Sequence, residues 1–469
     1  MTRKRSRLPL ATMHTPWKGA IIRMKTLRAT PPLLRLNPVG IAAFARAEKR
    51  LDAAGSADGL RALQRDLRAA RDRIFGPLPD PAAPVAVRAG KPILWNGLAV
   101  RDAAFPSPHG YTITGWRMRR RDLAGRLPGL VIAAGHAEAG SLAPRYVRFA
   151  AYAARCGFDV LSFDPIGQGA RREVFSPQDH PVYWSPCNQH QRIGLAALTA
   201  GVNLTGLFMS DCVTAVSVLD QDPGVDRARI GFAGQSGGGY QTYLAMAADP
   251  RIAAAVPCQA TYTRRGQLDG GTDLDMEQWC PLAWREGFDV AEMAVLFAPR
   301  PLRICAEYGC ASQGGVFRLL QPLYQRLGCA DAINIAAASM EHAMDQSCRE
   351  LALNWLFRHL RPADPQAVEP GMPGFDPFHQ RLAARVAGTD ARGCGVVALA
   401  QRRIEERPQP PCDPRRALRE NPFLRPFRPA AARPPVWIEA GRGARGVAVI
   451  ADRDGGDSPW ARRQARRAA

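Results

Sequence analysis

The chain reads as an α/β protein built on a mostly parallel sheet with helices on both faces, and three features predict this. Continuous apolar runs such as Leu130 to Ala134, Asp159 to Phe163 and Ile230 to Ala233 have the pattern of strands buried on both sides. Helical stretches alternate with them, which is the order of a parallel sheet covered by its crossover helices. The third feature is RIGFAGQSGGGYQTYLAM, Arg229 to Met246, where a short buried strand turns at once into a helix. Ser236 stands at that corner. A strand that passes directly into a helix forces the corner residue into strained backbone geometry and holds its side chain clear of the fold. Gly234 and Gly238 flank the serine without Cβ atoms, and Gly237 offers a bare backbone N–H at the start of the helix.

The 469 residues, 46% of them apolar and with 43 Gly and 40 Pro, suit a loop-rich globular core with appendages. Taken in order, residues 1–38 read as a basic tail. Residues 39–76 carry apolar positions at helical spacing, among them Leu60, Leu63, Leu67 and Ile74, with a break at Gly55-Ser56, and read as a helical brace. Residues 77–360 form the α/β domain. Its opening part, Val85 to Arg121, alternates polar and apolar residues as antiparallel strands do, with a turn at Ser107 to Gly110. The parallel pattern starts after Pro128 with a strand, a helix from Pro144 to Cys156 and a second strand to Phe163. Arg171 to Arg192 reads as a loop carrying His180, Trp184, Cys187 and His190, and one helix is expected from Ile193 to Leu219, with Asp211 on it. Further strands are expected at Ile252 to Gln259, Pro301 to Ala306 and Ile333 to Ala338, and a last helix at Gln346 to Leu360. Residues 361–469 are Pro- and Arg-rich, with a strand-like run GVVALA and a helical fragment near Arg402 to Arg407. The run PPVWIEAGRGARGVAVIADRDGG within them reads either as the opening strands of a truncated second unit or as an extension without order.

Charge and cysteine content narrow the functional classes. The net charge is +21, but residues 1–75 hold 17 Lys and Arg against 5 Asp and Glu, residues 361–469 hold 20 against 12, and the middle holds 26 against 25. The basic residues are mostly Arg interleaved with Ala and Pro, without a nucleic-acid-binding motif, so solvated tails are expected and no nucleic-acid partner. No apolar stretch approaches the length of a membrane span. The opening residues are too short and broken in their apolar part for a signal peptide, so a non-exported, cytoplasmic chain is expected, with Met24 as an alternative start. Eleven cysteines without a C-x-x-C pair read as reduced core residues, and no His, Asp or Cys cluster at ligand spacing predicts a metal or other cofactor.

Together and in this order, GLVIAAGHAEAG, GFDVLSFDPIGQGAR, DPGVDRARIGFAGQSGGGYQT, APRPLRI and EHAMDQSCRELALNWLFRHL resemble the α/β-hydrolase superfamily over about residues 80 to 360. Within it they are similar to bacterial acetyl xylan esterases and prolyl-oligopeptidase-like serine hydrolases. The resemblance implies the α/β-hydrolase fold, with an eight-stranded, mostly parallel sheet and a Ser, acid, His order along the chain. It implies Ser236 as nucleophile, His342 as general base, and an oxyanion hole from the N–H of Gly237 with that of His136, or else of Ala137.

The acid departs from the family pattern. Its expected position falls on Gly309. Glu307 is the nearest carboxylate and the preferred choice, Asp345 is a second candidate although placed to cap the last helix, and Asp273 and Asp275 are a third. Asp164 is expected to order its turn, and Asp211 and His190 to serve as buried hydrogen-bonding groups or substrate contacts. The resemblance implies a serine esterase that takes a small-molecule ester. Rival readings are an oligopeptidase-like enzyme taking a peptide, and a hydrolase-fold binding protein weakened or inactivated by loss of the acid.

Overall fold

The sheet at the centre of the molecule is seen in a computed structural model that describes residues 49–50, 54, 56–175, 185–263, 275–307, 311–339, 341–387 and 395–405. The tail 1–38 and the run from Pro434 to Gly456 lie outside these residues, as do His180, Asp273 and Gly309.

In chain order, helix α1 (Ala57–Phe75) leads into strands β1 (Arg88–Ala89), β2 (Ile93–Trp95), β3 (Leu98–Pro106), β4 (Thr112–Arg120) and β5 (Leu127–Ala133). Then come α2 (Pro144–Arg155), β6 (Asp159–Phe163), α3 (Pro186–Thr199), α4 (Leu204–Asp220), β7 (Val225–Gln235), α5 (Gly237–Ala248) and β8 (Ile252–Cys258). The domain continues with α6 (Pro281–Glu286), α7 (Val290–Phe297), β9 (Leu302–Glu307), α8 (Ala311–Arg326), β10 (Ile333–Ser339) and α9 (Gln346–Leu360). Two more helices follow, α10 (Phe375–Ala387) and α11 (Val396–Glu405).

The main sheet runs β3-β4-β6-β5-β7-β8-β9-β10, with the short β1 and β2 both pairing with β3. Strands β3 and β4 are antiparallel to their neighbours, whereas β6, β5, β7, β8, β9 and β10 are mutually parallel. The order crosses over at β5, which lies between β6 and β7. The carboxyl ends of strands at such a crossover are where α/β sheets generally hold ligands.

Alternation along the strands explains the two layers of helix. On β5, Val131 and Ala133 face a core made with α1, α4, α5, α7 and α8, while Leu130 and Ile132 face one made with α2, α9 and α10. Strand β6 does the same with Leu161 and Phe163 on the first side and Val160 on the second. Each of these side chains is fully buried, which is why the strands read as unbroken apolar runs. Helix α1 begins at Ser56, whose hydroxyl accepts from the Gly59 N–H at 3.0 Å, and lays Leu60, Leu63, Leu67 and Ile74 on the first core.

Two expectations are corrected. The single helix over Ile193 to Leu219 is two helices bent by 105°, and the first starts at Pro186 within the expected loop. Gly201, at φ +70°, ends the first, and Asn203 opens the second by accepting from Thr205 N–H at 3.0 Å. The run GVVALA is not a strand, because Val396 to Ala400 belong to helix α11. The carboxylate of Glu173 accepts from the Val396 and Val397 N–H groups at 2.9 and 2.8 Å, capping that helix from a distant part of the chain. Among the described residues no single helix is long and apolar enough to cross a membrane.

Candidate active site

Ser236 sits between β7 and α5 with φ +59° and ψ −124°, a left-handed conformation that costs a non-glycine residue about 1–3 kcal/mol. Close packing enforces it. A Cβ on Gly238 would lie 2.1 Å from the Ala133 carbonyl oxygen, and one on Gly234 would lie 2.3 Å from the Gly238 carbonyl, so strand and helix meet only where both flanking side chains are absent. The Ser236 N–H is held by the Cys258 carbonyl at 2.9 Å.

The other two sequence-predicted side chains arrive from the ends of neighbouring strands. His342, in the turn between β10 and α9, places Nε2 2.8 Å from Ser236 Oγ. Its Nδ1 side is hydrogen-bonded to Glu307 at the end of β9. Glu307 is fixed in turn. The Tyr262 phenol donates to both of its carboxylate oxygens at 3.1 Å, and its backbone N–H donates to Gln313 Oε1 at 3.0 Å. Of the other carboxylates considered for this position, Asp345 caps α9 by accepting from Cys348 N–H at 2.8 Å, and Asp275 lies in a separate cluster described below.

Beneath Ser236 and His342 runs a buried amide chain that has no sequence signature. Tyr146 on α2 donates to Gln235 Oε1 at 2.8 Å, Gln235 Nε2 donates to Gln259 Oε1 at 3.0 Å, and Gln259 Nε2 donates to the Glu341 carbonyl at 2.9 Å. Gln259 holds φ +51° after β8, and its own N–H donates to the Cys305 carbonyl at 2.7 Å.

The turn after β5 lies directly against the serine. A Cβ on Gly135 would come within 3.0 Å of Ser236 Cβ, and one on Gly237 within 3.2 Å of His136 Cε1. Gly237 is the first residue of α5, where a backbone N–H has no partner within the helix. The two segments expected to supply N–H donors therefore adjoin at Ser236.

The structure also brings together side chains that sequence spacing does not connect. His136, His190, Asp275 and Glu277 present ligand atoms all within 4.8 Å of one another, although no metal site is predicted from the sequence. They come from three segments far apart in the chain, so no local motif marks them. His136 Nε2 lies 3.4 Å from Asp275 Oδ2 and 3.3 Å from Glu277 Oε1. His190 Nδ1 is 2.7 Å from Asp275 Oδ1, and its Nε2 is 2.9 Å from the Ile166 carbonyl. Burial acts to depress the His136 imidazole, but Glu277 and then Asp275 outweigh it and raise its pKa well above the ordinary histidine value. Burial acts to raise Asp275, yet His190 and His136 hold its carboxyl well below the usual carboxylate range.

Two further polar residues hold turns and stand in the core. Asp164 accepts from the Ser141 hydroxyl and N–H at 2.7 and 2.9 Å and from Thr114 Oγ1 at 2.9 Å. Asp211, fully buried on α4, accepts from the Tyr111 phenol at 2.8 Å and pairs with Arg171 at 2.8 Å. Both roles are structural.

No family model matches the sequence, and no curated protein sequence matches it. Among solved structures the chain is similar to methylesterase BT1017, with 18% identity, coverage of 77% of this chain and 81% of that one, and a TM-score of 0.58. It is also similar to a Bacteroides fragilis protein described as a candidate acetyl xylan esterase, with 15% identity, coverage of 70% and 89%, and a TM-score of 0.51. At these identities the likeness is one of fold. The strand order, the crossover at β5 and the helices on both faces give the α/β-hydrolase-like architecture that these structures share.

Proposed function

We propose that the protein is a serine hydrolase that cleaves a carboxylic ester through an acyl-enzyme on Ser236. The observation that carries this reading is the linear arrangement of three side chains: Ser236 Oγ 2.8 Å from His342 Nε2, with Glu307 on the opposite ring nitrogen. Glu307 accepts from Nδ1–H and so fixes the tautomer whose Nε2 carries a lone pair toward the hydroxyl. His342 takes the Ser236 proton as Oγ attacks the ester carbonyl. The oxyanion that develops is met by the N–H groups of Gly237 and His136, a donor of this kind being worth about 10² to 10³ in rate. The proton on Nε2 passes to the leaving alkoxide. A water, deprotonated by the same nitrogen, then releases the acid and restores Ser236.

Similarity to structures named as a methylesterase and a candidate acetyl xylan esterase makes small carboxylic esters the first substrates to try. The carboxylate on His342 favours turnover over a binding-only role. The buried free thiols of Cys156, Cys212 and Cys258 support a reducing, cytoplasmic setting. Labelling with a fluorophosphonate probe tests the assignment: wild type is expected to react and Ser236→Ala not to. Equal labelling of both removes Ser236 as nucleophile.

A further inference from the structure

We infer that His136, His190, Asp275 and Glu277 form a binding site for a divalent transition ion of the zinc type, next to the turn that carries the His136 N–H. Four features point to a cation. The donor set is two imidazoles and two carboxylates, and Asp275 and Glu277 keep only 8% and 2% of their side-chain surface exposed. Two buried carboxylates converging on one point call for positive charge between them, and a divalent ion in place of the His136 proton supplies it. Secondly, His136 Nε2 and Asp275 Oδ2 are both buried and share only long contacts, 3.4 Å with each other and 3.3 Å from His136 to Glu277, none of them a well-formed hydrogen bond. Buried polar atoms so loosely paired are rare unless something else satisfies them.

The third feature is spacing. A tetrahedral zinc with ligands at roughly 2.0–2.1 Å separates those ligands from one another by about 3.3–3.4 Å. His136 Nε2 stands at 3.3 Å from Glu277 Oε1 and 3.4 Å from Asp275 Oδ2, too long for strong ionic hydrogen bonds and right for two edges of that tetrahedron. The fourth is the surrounding hydrogen bonding. His190 Nε2 donates to the Ile166 carbonyl at 2.9 Å, and Nδ1 donates to Asp275 Oδ1 at 2.7 Å, so Nδ1 is the ring nitrogen turned to the cluster and an ion there would take the place of its proton. A metal-binding histidine that donates its second ring N–H to a backbone carbonyl is held in this way. The Glu277 N–H likewise donates to Asp275 Oδ1 at 2.8 Å, turning that carboxylate so that Oδ2 faces His136.

The ion would tie together three segments: the turn after β5, helix α3, and the stretch leading into α6. It would thereby fix the His136 backbone beside Ser236. Imidazole and carboxylate donors suit zinc or a neighbouring first-row ion better than calcium or magnesium, which favour oxygen alone.

The test is a titration of the chelator-treated full chain with zinc, and separately with cobalt, followed by calorimetry and absorption. It is independent of whether the protein hydrolyses esters. Wild type and Ser236→Ala are expected to bind one equivalent tightly, while His190→Gln and Glu277→Gln each bind at least about 100-fold more weakly. The cobalt spectrum is expected to show tetrahedral d–d bands without a thiolate charge-transfer band. Absence of zinc binding by wild type, or equal affinity in both variants, overturns the assignment. A thiolate band at the first equivalent does so too, because it places the ion on cysteines, and this readout needs no variant to fold.

Discussion

Gln259 Nε2 donates to the carbonyl of Glu341, the residue immediately before His342, at 2.9 Å, while Gln259 Oε1 accepts from Gln235, the residue immediately before Ser236. One side chain thus links the side chain of the residue before the hydroxyl to the backbone of the residue before the imidazole. Replacing Gln259 by Leu leaves the Gln235 Nε2 donor unpaired and removes the tie from the sheet to the Glu341 carbonyl, which keeps only its local contact with Ala343 N–H at 2.8 Å. The expected result is a fall of about tenfold or more in kcat with a smaller change in KM, because misplacement acts on the reacting geometry rather than on ground-state binding. Unchanged kcat in steady-state ester hydrolysis removes this positioning role.

Glu307→Gln keeps the shape but donates where an acceptor is needed, so it favours the wrong histidine tautomer. Turnover is expected to fall at least about tenfold. Tyr262→Phe keeps the carboxylate and removes the two phenol contacts, and is expected to cost about three- to tenfold. A Glu307→Gln enzyme with wild-type kcat moves the acid elsewhere.

Packing at the tight turn from β7 into α5 predicts a stability effect that is separable from chemistry. Gly238→Ala would bring a methyl to 2.1 Å from the Ala133 carbonyl, which only backbone movement can relieve. Urea unfolding is expected to show a loss of about 1–3 kcal/mol or more. A change under about 0.5 kcal/mol contradicts the packing account.

Glu292 predicts a pH effect. Burial first, with Asp289 adding to it, pushes this carboxyl up to about 8 from an ordinary value of 4.5. Its folded pKa is above the unfolded one, so the native state keeps a proton that the unfolded chain has released. The stabilisation is complete below about pH 4.5 and is lost as the pH rises through about 8. Glu292→Gln still offers an oxygen to the Asp289 N–H, which Glu292 now binds at 2.8 Å, and has no proton to lose. The variant is therefore expected to gain roughly 1 kcal/mol or more relative to wild type between pH 5 and pH 8.5, read from thermal melts. A pH-independent difference contradicts it.

Much of the architecture was legible because burial on both faces writes itself into composition. Leu130 to Ala134 and Asp159 to Phe163 are apolar throughout since helices cover both sides. Ser236, Glu307 and His342 follow strand ends, and strand ends show in the apolar pattern. The bend at Gly201 and Asn203 carried its own capping signals, which the continuous apolar character of α4 masked. Other features had no local sign. The run GVVALA is helical because Glu173, more than two hundred residues earlier, caps it. Tyr262, Gln259 and the cluster of His136, His190, Asp275 and Glu277 depend on where the sheet brings separate loops, and no spacing within one segment encodes that.

The most direct measurement is intact-protein and peptide mass spectrometry of wild type and Ser236→Ala quenched during turnover of an activated acetyl ester. The expected result is a single acetyl group on the peptide containing Ser236 in wild type, absent from the variant, which should lose nearly all hydrolysis. Acetylation of another residue, or turnover by Ser236→Ala at the wild-type rate, would contradict it.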